Sequence, residues 1–95
     1  MKPTKLIDVV ANISTHDNNL TIYASKPWTC ESYTILAQEP AEGGRPAEAE
    51  LYGAEYLIEV FIAKEFLEDW LAQEGRPIST QEQCERLIHY AIYDA

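Results

Sequence analysis

Apolar residues in the first part of the chain recur with two periods, and the period assigns each segment its structure. Leu6, Val9, Val10 and Ile13 fall at i, i+3, i+4 and i+7, which predicts a first helix over about residues 4–14 with Thr4 as its N-cap. The polar run His16-Asp17-Asn18-Asn19 turns the chain, because Asn and Asp tolerate left-handed backbone and bond locally. Leu20 to Ala24 alternates as a short strand that Lys26-Pro27 interrupts, since proline cannot donate to a ladder. Tyr33 to Ala37, β-branched and apolar, predicts a second strand. Glu55 to Ile62 predicts a third, with Tyr56, Ile58, Val60 and Ile62 on one face and Leu57, Glu59 and Phe61 on the other. Two largely apolar faces suit a central position.

At residue 63 the period lengthens to that of a helix. Ala63, Phe66, Leu67, Trp70 and Leu71 form an apolar stripe, with Lys64, Glu65, Glu68, Asp69 and Gln73 turned to water. Gly75 closes this helix and Arg76-Pro77 prevents its continuation. Ser79 with Glu82, or Thr80 with Gln83, offers a capping box for a third helix whose stripe is Cys84, Leu87, Ile88, Ala91 and Ile92. The expected order is α-β-β-β-α-α: a single α+β domain over residues 1–95, with a three-stranded antiparallel sheet packed against helices. No internal repeat is present.

Between the second and third strands lies QEPAEGGRPAEAELYGAEY, residues 38–56. Pro40, Gly43-Gly44 and Pro46 predict a long acidic loop at about residues 39–54, outside the core. Charge sharpens the picture. The chain of 95 residues is 46% hydrophobic, enough for a folded core, yet its formal net charge is −9. Residues 1–38 balance to zero; six Glu against Arg45 leave −5 over residues 39–62, and seven acids against Lys64, Arg76 and Arg86 leave −4 over residues 63–95. Such a balance argues against direct binding of nucleic acid or of anionic membrane, which Lys and Arg would have to neutralise. Asp8 and Asn12 break the apolar stretch near the N-terminus, so no signal peptide is read there, and the longest apolar run, Val60 to Ala63, is far short of the roughly 20 residues of a membrane span. A cytoplasmic protein is expected, with Cys30 and Cys84 as free thiols in a reducing compartment.

Catalytic patterns are absent. His16 sits in a polar turn and is expected to be exposed. His89 lies one helical turn beyond Glu85, within reach of an ion pair, but five residues beyond Cys84, a spacing that points a thiol and an imidazole apart. Two Cys and two His lack the close pairs of a zinc site, and Gly43-Gly44 lacks the Lys-Ser/Thr of a phosphate-binding loop. Neighbouring carboxylates such as Glu65 and Asp69 arise on any acidic helix. The reading is a protein that is not an enzyme and takes neither metal nor cofactor. Phe66 and Trp70 are expected in the core, whereas Trp28, Tyr52, Tyr90 and Tyr93 lie at loop or stripe-edge positions where aromatic interface anchors are found.

In size, acidity and mixed α/β pattern the chain resembles the small immunity proteins of bacterial toxin–immunity pairs, including those of contact-dependent growth inhibition. The resemblance covers the whole chain and rests on no motif. It implies a cytoplasmic inhibitor that binds a cognate basic toxin domain, often a nuclease, and covers its active site or substrate groove. No functional position is carried over from that group; the chain's own charge layout points to Glu48, Glu50, Tyr52, Glu65, Glu68 and Asp69 as partner-binding residues. Opposite charge would speed encounter toward ~10⁸ M⁻¹s⁻¹ at low salt, and aromatic anchors would hold the complex. Two other readings stand beside it: a DNA-mimicking inhibitor of a nucleic-acid enzyme, and an adaptor or subunit that docks through its acidic loop.

Overall fold

The computed structural model describes residues 4–95. The elements run β1 (Thr4–Lys5), α1 (Leu6–Ala11), a 3₁₀ turn (Ile13–Thr15), β2 (Thr21–Ser25), β3 (Tyr33–Ala37), α2 (Ala47–Leu51), β4 (Ala54–Glu59), α3 (Val60–Glu74) and α4 (Thr80–Tyr93). The class is α+β with an antiparallel sheet, as expected, but the sheet has four strands in the order β1-β3-β2-β4. The added strand is the two-residue β1, which pairs Thr4 with Thr34 and Lys5 with Tyr33.

Thr4 therefore does not cap α1. Lys5 holds the cap position without a side-chain bond, and the helix's first amides are satisfied from across the fold, Leu6 N by Ser32 O at 2.9 Å and Ile7 N by Cys30 O at 3.0 Å. The helix also stops earlier than its apolar period suggests. Asn12 turns its side-chain amide back onto Asp8 O at 3.0 Å, and a 3₁₀ turn follows.

Two further expectations fail around β4. The strand ends at Glu59, and α3 begins at Val60 with no intervening loop. β4 also lies at an edge of the sheet, since β2 is its one strand neighbour among the described residues. Its register against β2 slips between Ile22, opposite Ile58, and Tyr23, opposite Tyr56. The residue left over is Leu57, and a β-bulge of this kind lets two consecutive side chains serve one face. Leu57 and Ile58 are both buried in the main core, which is why both faces of this segment read as apolar although the strand is an edge.

The segment expected to be a loop holds α2, started by Pro46 at the cap position, where its fixed φ suits helix entry. The turn before it, Pro40 to Gly44, bulges into solvent with Gly43 N bonded to Pro40 O at 3.0 Å. Ala49 of α2 is fully buried against Tyr23, Ile35 and Ala54 on one face of the sheet. The other face carries Ile22 and Ala24 under α1, α3 and α4, with Leu6, Val9, Val10, Val60, Ala63, Leu67, Cys84 and Leu87 completing the main core. The two long helices end and begin as their sequences predict: Gly75 closes α3 at φ 62°, and Ser79 Oγ accepts from Glu82 N at 3.1 Å.

Candidate functional site

α3 and α4 pack side by side, and their solvent-facing seam is aromatic. Phe66 and Trp70, one turn apart on α3, meet Arg86 and Tyr90, one turn apart on α4. The Phe66 and Tyr90 rings stack at 4.1 Å between centroids with their planes 15° apart. The Arg86 guanidinium lies 5.0 Å from the centre of Phe66 and 6.0 Å from that of Trp70, in cation–π position. Ile62, Glu65, Asp69 and Gln73 complete a groove of about 240 Å³. Arg86 is tethered from its other side: its Nη1 donates to Ala95 O at 3.0 Å and lies 3.3 Å from His89 Nδ1.

The residues chosen from charge layout divide between two layers of the molecule. Glu65, Glu68 and Asp69 lie on α3, and Glu65 and Asp69 border the groove. Glu48 and Glu50 lie on α2, which covers the opposite face of the sheet. Tyr52 follows α2 half-buried against the small core of that face, so part of its ring is already used in packing. The chain thus presents two separate acidic surfaces. Phe66 and Trp70, expected in the core, are half-buried and form the groove floor, and Arg86 was not among the expected residues at all. The signal for them was the pair of i, i+4 spacings on adjacent helices, with Tyr90 displaced to the edge of its helix's stripe.

The open sheet face has its own chemistry. Tyr23 and Tyr56 meet edge to face at 6.3 Å. Tyr56 Oη donates to Glu59 Oε2 at 3.2 Å, and Thr21 Oγ1 to Glu39 Oε1 at 3.2 Å. Desolvation first, then the charge and hydrogen bond of Glu59, push the Tyr56 phenol up to about 12. The Tyr23 phenol also moves up, by burial and then by the charge of Glu39.

Both histidines lie in the segments expected of them, His16 in the turn and His89 on the flank of α4, but their surroundings differ from the expectation. His16 is half-buried beside a cleft of about 340 Å³ between α1 and the sheet, lined also by Asp8, Asn12, Leu20 and Leu36. The adjoining turn is clamped by Lys64, whose Nζ donates to His16 O at 2.6 Å and Asn18 Oδ1 at 2.7 Å, a fixed role for a side chain expected in water. His89 turns toward Arg86 and Tyr93, and Glu85 accepts from Gln81 instead. Among the described residues, no group of three His, Cys, Asp or Glu side chains converges to hold a metal ion, and no helix is long and apolar enough to cross a membrane. No protein-family model, curated protein or solved structure matches this chain.

Proposed function

We propose that this protein is a non-catalytic acidic inhibitor of the immunity-protein kind, which docks a basic toxin domain through the rim of the α3–α4 groove. One observation carries the reading. Glu65, Glu68 and Asp69 make no ion pair among the described residues, and two of them flank an aromatic groove. By contrast Glu31, Glu55, Glu74 and Glu82 each have a cationic partner within the chain. Uncompensated carboxylates beside half-buried rings combine the two properties such docking needs. The charges draw a Lys- or Arg-rich surface in, and the rings offer apolar and cation–π contact once water is expelled.

The test is association kinetics with the product of an adjoining toxin gene. Glu65→Lys, Glu68→Lys and Asp69→Lys together are expected to slow association by about tenfold or more at low salt and to flatten its salt dependence, because rim charges act on encounter. Glu48→Lys with Glu50→Lys, on the other layer, is expected to change it less. Unchanged rates in both sets would leave the acids as a solubility coat and end the proposal.

A further inference from the structure

Cys30 and Cys84 come from parts of the chain far apart in sequence and meet in the main core. Cys30 lies in the connection between β2 and β3, which is held rigidly: Ser32 Oγ accepts from Thr29 N at 2.9 Å and donates to Ser25 O at 2.8 Å, and Cys30 O accepts from Ile7 N. Its Sγ is aimed at α4, 3.9 Å from Gln81 O. Gln81 lies just under one turn before Cys84 on that helix, and Cys84 is wholly buried. Both side chains belong to the buried main core, and Cys30 Sγ reaches the backbone of the α4 turn that carries Cys84. Burial first, and then Cys30, hold the Cys84 thiol well above the usual thiol range. Both are reduced in the structure.

Both thiols are buried, but they are not equally reachable. A cleft of about 340 Å³, bordered by Trp28, Glu31, Gln81, Glu85 and Ile88, opens onto Cys30. Cys84 lies behind it and lines no part of that cleft. A small reagent entering the cleft therefore meets Cys30 first, and Cys84 lies on the helix turn that Cys30 Sγ faces.

We propose that Cys30 and Cys84 form a redox-active pair, in which Cys30 is the entry thiol for a low-molecular-weight disulfide of the glutathione type and Cys84 is the resolving thiol. The Cys30 thiolate attacks one sulfur of the small disulfide, breaking its S–S bond and releasing one small thiol. Cys84 then gives up its proton and attacks Sγ of Cys30, expelling the second small thiol. The protein loses two hydrogens and two electrons, the small disulfide gains both, and the new S–S bond ties the β2–β3 connection to α4. Burial keeps a second reagent molecule from Cys84, and the same burial holds its thiol protonated, so closure is driven by proximity and is the slower of the two steps.

The whole chain is treated with oxidised glutathione at neutral pH, acid-quenched and examined by intact mass and peptide mapping, with a urea-unfolded sample alongside. The expected product is a monomer that has lost two hydrogens, carries no glutathione and yields a peptide cross-linked between Cys30 and Cys84. Cys84→Ser should stop at one retained glutathione on Cys30, and folded Cys30→Ser should resist modification. Two results for the wild-type protein overturn the proposal, whatever the variants do: both thiols surviving in the folded chain while the unfolded one oxidises, or arrest at one glutathione per chain.

Discussion

The two faces of the sheet are made from the same strands and end up with opposite characters. One, carrying Ile22, Ala24, Leu57 and Ile58, is sealed by α1, α3 and α4 into a continuous apolar core. The other, carrying Tyr23, Ile35 and Ala54, has α2 as its one helix among the described residues, and Tyr33 and Tyr56 remain 59% and 46% exposed. The difference lies in what covers them. α3 and α4 have 15 and 14 residues and present several turns of apolar stripe, whereas α2 has five and seats one residue, Ala49, fully. A helix that short does not persist by itself, so its docking is the weaker part of the fold. Polar groups collect where coverage is thin. On that face Tyr56 bonds Glu59 and Thr21 bonds Glu39, while the buried Tyr23 hydroxyl has no hydrogen-bond partner among the described residues.

This contrast is open to three measurements. The largest effect belongs to the sealed face: Leu87→Ala, removing a fully buried side chain, is expected to cost about 2–5 kcal/mol in urea unfolding. Ala49→Asp should cost less, about 1–3 kcal/mol, because α2 can lift away and return the carboxylate to water. Limited proteolysis separates the two variants. The native chain is expected to be cut first at the exposed Pro40–Gly44 turn, and Ala49→Asp to extend cleavage through residues 47–53 while α3 and α4 stay intact. A Leu87→Ala variant less destabilised than Ala49→Asp would break the comparison. The smallest effect is in alkali. The Tyr56 phenol is raised from 10.0 to about 12 in the folded chain, so its contribution to stability is complete below pH 10 and is lost as pH climbs from there through about 12. Tyrosinate absorbance should show late titration reaching that upper value, which Tyr56→Phe diminishes and the raised Tyr23 phenol keeps from vanishing. Titration of all tyrosines near pH 10 would show that the open face does not hold Tyr56.

What could be read from sequence was what local chemistry decides. The bounds of β3, the left-handed Gly75 cap and the Ser79 cap each follow from a few neighbouring residues and are found where expected. The failures involve distant partners. Thr4 looks like a helix cap until the Thr34 strand is beside it, and two residues of β1 are too few to show alternation. Residues 56–62 are apolar enough to satisfy either period, so the change from strand to helix was placed three residues late. In α2 the helix-forming run Ala-Glu-Ala-Glu-Leu was hidden by its Gly- and Pro-rich approach. For the candidate site, the carboxylates of α3 were legible by residue type. That Glu65 and Asp69 border a groove depends on Arg86 and Tyr90 of another helix, and that Glu48 and Glu50 lie on the opposite layer depends on how α2 folds over the sheet.

The bulge at Leu57 also sets where this chain can gain or lose residues over time. Odd-numbered side chains face the helices up to Leu57, and even-numbered ones do from Ile58 onward, so the bulge is a phase shift that delivers Val60 to the core as α3 begins. Deleting one residue there would leave a regular strand whose phase is wrong at one end: either the segment before it or the helix after it would turn its apolar side to water. The exposed turn at Gly43-Gly44 carries no such phase, and a residue added there leaves every downstream side chain on its own face. Drift in length is therefore channelled into the turn beside α2, and the junction between β4 and α3 is held to one length.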